Sequence, residues 1–211
     1  MKQVNKQGQK LGRKGGESRR RLLDATLSLI ERESLHKLSA SKIARVAGMN
    51  SQSFYLYFKD IDEILLKLAE EAAVDAQDVV ASLAQAPSDW PAVTVSRAFV
   101  DRYGTYWNKH RAILNARNYI ADSGNIAFLK LRHDTTMPII YAVADRIMDA
   151  DQAIERRTAV ARAVIVYLAM ERLAARADAV QYTRDDAEDV DLVRAEIDIL
   201  AQLFTPQSRP A

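Results

Sequence analysis

The amino-acid sequence predicts an all-α protein of about nine helices. From Glu17 onward, apolar residues recur at spacings of three and four, which is the periodicity of helices that bury one face. Only three of the seven glycines lie beyond Gly16, and prolines are sparse, five in 211 residues. No segment shows the alternation of apolar and polar residues that a half-buried strand requires.

Local signals place the helix boundaries. Ser39 or Ser41 can cap a second helix, Gly48 can end it, and Asp60 can cap a fourth helix with Glu63 reaching back. Pro138 should kink or interrupt the seventh helix. The predicted helices span about 17–33, 39–48, 51–58, 60–84, 89–107, 110–121, 125–149, 153–177 and 184–204.

Charge is segregated along the chain. Residues 1–59 hold 13 Lys and Arg against 4 Asp and Glu, whereas residues 60–211 hold 17 against 24. A basic end of this kind indicates a polyanionic partner, although basic N-terminal segments are often only solubilising tails. Residues 1–16 combine four glycines with five basic side chains, so we expect a disordered basic arm there and a flexible tail at residues 206–211.

The chain lacks the residues that several functional classes require. The chain has no cysteine, and His36, His110 and His133 are isolated, so we expect no disulfide, no metal site, no catalytic residue and no cofactor. A helical enzyme is therefore the weakest of the alternatives. No apolar run approaches the roughly 18 residues of a membrane span, and we expect a cytoplasmic protein without membrane contact.

Residues 38–68 have the spacing of a helix-turn-helix. Ala44 is small where two helices cross, Gly48 turns the chain, and Met49 fills the junction. Phe54 and Phe58 direct the apolar side of the third helix toward the core. The opposite face carries polar side chains that suit base edges and phosphates in a major groove, namely Ser51, Gln52, Ser53, Tyr55 and Tyr57. Short helix pairs joined by a glycine also occur in proteins that never contact DNA.

The same stretch resembles the TetR family of bacterial regulators. The family's recognition helix reads roughly T-x-Y-x-H/Y-F, and the matching residues here are Ser53, Phe54, Tyr55, Tyr57 and Phe58. The resemblance extends over about fifty residues in register and includes the apolar stripe of the first helix, Ile43-Ala44, Gly48 and Glu63-Ile64-Leu65.

This resemblance implies a set of DNA contacts. They are Ser39, Ser41 and Lys42 at the start of the second helix, the five polar residues of the third helix named above, and Lys59 on a phosphate. The family commonly has lysine where this chain has Ile61, so that contact is missing. The candidates to replace it are Lys59 or the basic arm, whose residues Lys2, Lys6, Lys10, Arg13 and Lys14 can lie along the adjacent minor groove.

The resemblance also implies that the region behind the head holds a small apolar ligand. The candidate ligand residues are Phe99, Tyr103, Trp107, Asn115, Tyr119, Phe128, Met137 and Tyr141. An aromatic stripe at helical spacing is also typical of an ordinary core.

The last two long helices, about 153–177 and 184–204, are implied to form a homodimer, although they can also simply close the core of one chain. The predicted organisation is an arm at 1–16, a helix-turn-helix domain at 17–60, a ligand-binding and dimerisation domain at 61–205, and a tail. The predicted function is a repressor that a ligand releases from a palindromic double-stranded operator. A non-specific architectural DNA-binding protein is the main alternative.

Overall fold

The computed structural model describes residues 12–175 and 191–206, and within them the all-α prediction is confirmed. A 3-10 turn at Leu35–Lys37 separates the first two helices. The eight described helices are α1 Arg13–Arg32, α2 Ala40–Val46, α3 Ser51–Tyr57, α4 Ile61–Ala84, α5 Ala92–Asp122, α6 Ile126–Ala150, α7 Arg156–Ala175 and α8 Leu192–Phe204.

Helix α5 replaces two predicted helices. The sequence predicts separate segments at 89–107 and 110–121, but one helix runs from Ala92 to Asp122. Asn108 and Lys109, which resemble a junction because both are polar, lie exposed on the helix surface. Neither residue breaks a helix, because neither restricts the backbone as proline does.

Helix α1 begins earlier than predicted. It starts at Arg13, so residues 13–16 are helical and not part of a disordered arm. The Gly16 N–H donates to the Gly12 carbonyl at 3.0 Å, and Arg13 pairs with Glu17 at 3.4 Å. An i,i+4 pair of this kind supports the first turn of a helix. The rest of the arm, the tail residues 207–211 and the predicted helix start at 184 lie outside the described residues.

Helix α6 contains Pro138 without being interrupted. Proline removes one backbone donor and crowds the preceding turn, yet the helix extends for twelve residues on each side of it. Among the described residues, none of the helices is both long and apolar enough to cross a membrane.

The described chain divides into two compact units. The head unit contains residues 12–72 and 112–132, and the body unit contains residues 73–111, 133–175 and 191–206. The predicted boundary at residue 60 differs from this division. The start of α4, the end of α5 and the start of α6 belong to the head unit because Ile64, Ile113 and Phe128 share one buried cluster with Leu22.

The core of the head unit is built from α1, α2, α3, the beginning of α4, the end of α5 and the start of α6. Leu22, Ile43, Phe54 and Ile64 are all completely buried. In the predicted stripe of α1, Leu22, Ala25, Thr26 and Leu29 are buried and Ile30 is half-buried. The Thr26 hydroxyl donates to the Leu22 carbonyl at 2.8 Å. Burial of these apolar faces fixes the short helices α2 and α3, which are too short to be stable alone.

Candidate nucleic-acid interface

Helix α2 is positioned by its cap and by the turn that follows it. The Ser39 hydroxyl accepts from the Lys42 backbone N–H at 3.3 Å, which makes Ser39 the N-cap. Gly48 has φ of +69°, a left-handed conformation that glycine adopts without strain. The Met49 N–H donates back to the Ala44 carbonyl at 2.8 Å and closes the turn toward α3.

Helix α3 is capped by Asn50, which the sequence interpretation did not single out. Its side-chain oxygen accepts from both the backbone N–H and the hydroxyl of Ser53, each at 2.8 Å. Asparagine is among the preferred N-cap residues, so its place just before Ser51 was a sequence signal for the cap of α3. Phe54 and Phe58 are buried, whereas Gln52 and Tyr55 are exposed on the other side and Ser51 is exposed in the first turn.

The predicted DNA contacts differ in their exposure. Six of them present their side chains to solvent, namely Ser39, Ser41, Ser51, Gln52, Tyr55 and Lys59. Three others are half-buried and engaged within the head unit. Lys42 pairs with Glu33, the Ser53 hydroxyl donates to Asn50, and Tyr57 packs against the core.

Two further exposed side chains share this surface and were not predicted. Arg45 lies exposed on α2, four residues after Ser41 and therefore on the same helical face. Leu56 is 56 % exposed on α3 next to Tyr55. Helical spacing from Ser41 was sufficient to identify Arg45, whereas an apolar residue gives no comparable signal for a DNA surface.

Ile61, at the start of α4, stands where the resembling family commonly has lysine. Its side chain packs against the head core instead of extending into solvent. The Glu63 backbone N–H donates to Asp60 at 2.8 Å, as the predicted cap requires. The Glu63 carboxylate, however, accepts from the Lys59 N–H at 2.6 Å and not from Asp60. Lys59 is thereby held at the junction between α3 and α4.

Helix α1 adds two arginines beside this junction. The Arg19 guanidinium lies 4.9 Å from the centre of the Phe58 ring, within the range of a cation–π contact. Arg20 donates to Glu71 at 2.7 Å and pairs with Asp24 at 2.8 Å. The end of α3 and the first half of α4 are therefore both linked to α1.

The predicted ligand residues are distributed over both units. Phe99, Tyr103 and Trp107 are buried in the body unit and form a run of tilted rings whose centroids are 6.5 Å and 6.1 Å apart. Phe128 belongs to the head core. Met137 is half-buried in the body unit. The predicted ligand residues are therefore divided between the two units.

The remaining predicted ligand residues line two clefts. In the head unit, Asn115 and Tyr119 line a cleft of about 340 Å³, where the Tyr119 hydroxyl lies 3.4 Å from Nε2 of His36. In the body unit, Tyr141 lines a cleft of about 330 Å³ beside Pro138. Both tyrosines remain exposed to solvent.

The helices predicted to form a dimer expose apolar side chains. Ile165 and Leu168 on α7 are 69 % and 56 % exposed, and Val193 and Ile199 on α8 are 54 % and 52 % exposed. On the same helices, Ala163, Tyr167 and Leu200 are buried in the body unit.

Comparison with known proteins identifies the N-terminal part of the chain. Residues 22–75 match the family model for bacterial regulatory proteins of the tetR family. The HTH-type transcriptional regulator EthR of Mycobacterium tuberculosis is 26% identical over 110 residues, which are 52% of this chain and 51% of EthR. The chain thus spans about half the length of the curated relatives it matches.

Solved structures share the fold over most of the chain. A TetR-like transcriptional regulator from Rhodococcus sp. RHA1 has a TM-score of 0.64 at 18% identity, covering 92% of this chain and 96% of its own. The regulator FadR from Bacillus subtilis, solved with stearoyl-CoA, has a TM-score of 0.60 at 14% identity, covering 90% and 99%. Residues 22–75, which contain the helix-turn-helix, are therefore similar to the N-terminal segment of the tetR family of bacterial regulatory proteins.

Proposed function

We propose that this protein is a cytoplasmic, ligand-responsive transcriptional repressor that binds a palindromic operator as a homodimer. The observation that carries the proposal is the two-sided character of α3. One side holds Phe54 and Phe58 in the head core, and the other presents Gln52 and Tyr55 to solvent.

The exposed side of α3 suits the major groove. A groove about 12 Å wide admits a single helix, and amide and hydroxyl groups match the donor and acceptor patterns of base edges. Ser39, Ser41, Arg45 and Lys59 surround α3 in the sequence and supply groups for phosphates. The excess of basic residues in the first 59 positions favours a polyanionic partner at this end.

The exposed faces of α7 and α8 support the homodimer. Ile165 and Leu168, three residues apart on one face of α7, form an exposed apolar patch that a second copy of the chain would remove from water, and Ile199 adds an exposed apolar side chain on α8. Two heads related by a two-fold axis match two operator half-sites one helical turn apart. A single head would contact only one half-site and would therefore bind the operator more weakly.

Helix α4 provides the route for a ligand response. Its first twelve residues belong to the head unit and its last twelve to the body unit. A ligand that displaces this helix changes the spacing of the two α3 helices and weakens operator binding. FadR from Bacillus subtilis, which shares this fold, was solved in complex with stearoyl-CoA, and this supports a ligand response.

Selection from fragments of the source genome tests the proposal. The protein should retain a small set of fragments that share a palindrome, and footprinting should protect both half-sites. Gln52→Ala should reduce operator affinity by about tenfold. Gln77→Ala, which removes the same exposed side chain from α4 in the body unit, serves as the matched control and should leave affinity unchanged.

Competition with unrelated duplex separates the two classes of DNA-binding protein. A specific regulator should prefer its site by at least about three orders of magnitude. Equal affinity for the selected and unrelated duplexes would instead indicate an architectural protein and overturn the proposal.

A further inference from the structure

An apolar side chain of α3, that of Leu56, points directly away from the head core. Phe54 and Phe58 are buried in that core, and Leu56 lies two residues from each of them. At about 100° per residue, this spacing turns Leu56 about 160° away from both phenylalanines. Leu56 is 56 % exposed, whereas the neighbouring Tyr57 packs against the head core. Leu56 therefore occupies the middle of the exposed side of α3.

The surface around Leu56 suits a polyanion. Gln52, four residues earlier, is exposed on the same face of α3, and Arg45 is exposed on α2. Residues 34–59 include four Lys and Arg but no Asp or Glu. Soluble proteins expose many single leucines, so exposure alone assigns no role. The position of Leu56, at the centre of a face without carboxylates, is what points to a contact with DNA.

The base edges in a major groove offer one apolar group to such a side chain. Guanine, cytosine and adenine present hydrogen-bond donors and acceptors there, whereas thymine adds a 5-methyl group. Leucine has no hydrogen-bonding group, so against the other bases it would displace water from donors and acceptors without replacing it. Against thymine, the leucine and the methyl group remove each other's apolar surface from water. Thymine is therefore the base that fits Leu56.

The spacing between Gln52 and Leu56 limits where this thymine can lie. Four residues at the helical rise separate the two positions by about 6 Å along α3. Successive base pairs are about 3.4 Å apart, so the two side chains reach base pairs no more than about two steps from each other. The glutamine amide suits the adjacent donor and acceptor of adenine. One face of α3 thus combines a hydrogen-bonding group with an apolar group within reach of neighbouring base pairs.

We propose that Leu56 contacts the 5-methyl group of a thymine in each operator half-site, within about two base pairs of the base that Gln52 binds. Leu56 thereby selects thymine over cytosine, which presents an amino group and no methyl group in the major groove. This contact rests on the proposed function, because it requires that the protein bind an operator through α3.

Replacement of thymine by deoxyuridine tests the contact, because uracil lacks only the 5-methyl group and keeps the same base pairing. Each thymine of the operator recovered by the genomic selection is replaced in turn, at the equivalent position of both half-sites. At one position the parent protein should lose about tenfold in affinity, which corresponds to about three- to fourfold for each missing methyl group. Titration of the labelled duplexes at one fixed salt concentration measures the loss.

Leu56→Ala assigns the methyl dependence to one side chain. This variant should bind the thymine operator more weakly than the parent, and the deoxyuridine replacement at the sensitive position should then cost it less than about twofold. Because Leu56 is exposed, the variant should unfold at the same urea concentration as the parent. Val74→Ala shortens an apolar side chain that is 61 % exposed on α4 in the body unit. It is the matched control and should keep the full dependence of the parent on the methyl group.

Three outcomes would overturn the contact while leaving the proposed function standing, provided that the operator is still bound selectively. They are an operator in which no thymine is sensitive to the replacement, the same methyl dependence in the parent and Leu56→Ala, and an equal loss of that dependence in Leu56→Ala and Val74→Ala. Equal affinity of the parent for all duplexes would instead refute the regulator, and the thymine contact with it.

Discussion

Lys42 and Glu33 form an ion pair that joins the start of α2 to the residue that ends α1. The lysine is one of the predicted DNA contacts, and its side chain is only 24 % exposed. The hydrogen bond from Lys42 lowers the pKa of Glu33, so the carboxylate remains ionised at neutral pH. A phosphate must therefore compete with Glu33 for the ammonium group.

Glu33→Gln should strengthen DNA binding. The substitution frees the Lys42 ammonium for a phosphate, and one added phosphate contact steepens the dependence of log affinity on log salt by about 0.9. Titration of a labelled duplex at several salt concentrations measures both quantities. Glu31→Gln removes the same charge from an exposed position of α1 and is the matched control. Equal effects of the two variants would show that net charge alone is responsible.

Gly48→Ala should destabilise the head unit. The backbone at Gly48 has φ of +69°, and no atom lies within 4 Å of the position that a Cβ would occupy. The cost is therefore conformational and not steric, about 1–2 kcal/mol. Urea unfolding followed by circular dichroism measures it.

Gly104→Ala is the matched comparison for this prediction. Gly104 lies within α5 and also has no atom within 4 Å of a Cβ, but its φ is not positive. Alanine there should stabilise the protein by about 0.5–1 kcal/mol because it favours the helix. The same sign for both alanine variants would contradict the backbone argument.

The helix-turn-helix was predictable because its signals are local. The cap at Ser39, the left-handed Gly48 and the buried side of α3 each depend on residues within a few positions of one another. Lys42 illustrates the limit of such signals. Its place at the start of α2 follows from spacing, but its pairing with Glu33 depends on how α1 packs, which spacing does not report.

The surroundings of the predicted ligand residues could not be predicted from the sequence, for a related reason. Trp107 and Asn115 lie on the same helix, eight residues apart, yet belong to different units. Periodicity identifies which face of a helix is apolar, but it does not identify the element that covers that face. Phe128 shows the same effect, since its apolar position was read correctly while its partners are those of the head core.

Ile165→Glu should convert a dimer into monomers. Ile165 is 69 % exposed on α7, so the substitution leaves the fold of one chain intact but places a charge in an apolar interface. Sedimentation at micromolar concentration should show about half the mass. Val74→Glu introduces the same charge at a position 61 % exposed on α4 and should remain dimeric. A monomeric parent protein would refute the predicted dimer directly.

Glu196 should make the stability of the body unit depend on pH. It is half-buried on α8, and burial raises its pKa from 4.5 to about 7. Between these two values the folded state binds more protons than the unfolded state, so stability falls as the pH rises through this window. After allowance for solvent screening, the loss should reach about 1–2 kcal/mol above pH 7.

Glu196→Gln removes this titration and should be more stable than the parent at pH 8 but not at pH 4.5. Urea unfolding at fixed protein concentration across this range measures the difference, because a dimer's apparent stability depends on concentration. Asp198→Asn, an exposed carboxylate of the same helix, is the control and should not change the pH profile. A parallel pH dependence in the parent and Glu196→Gln would show that another group is responsible.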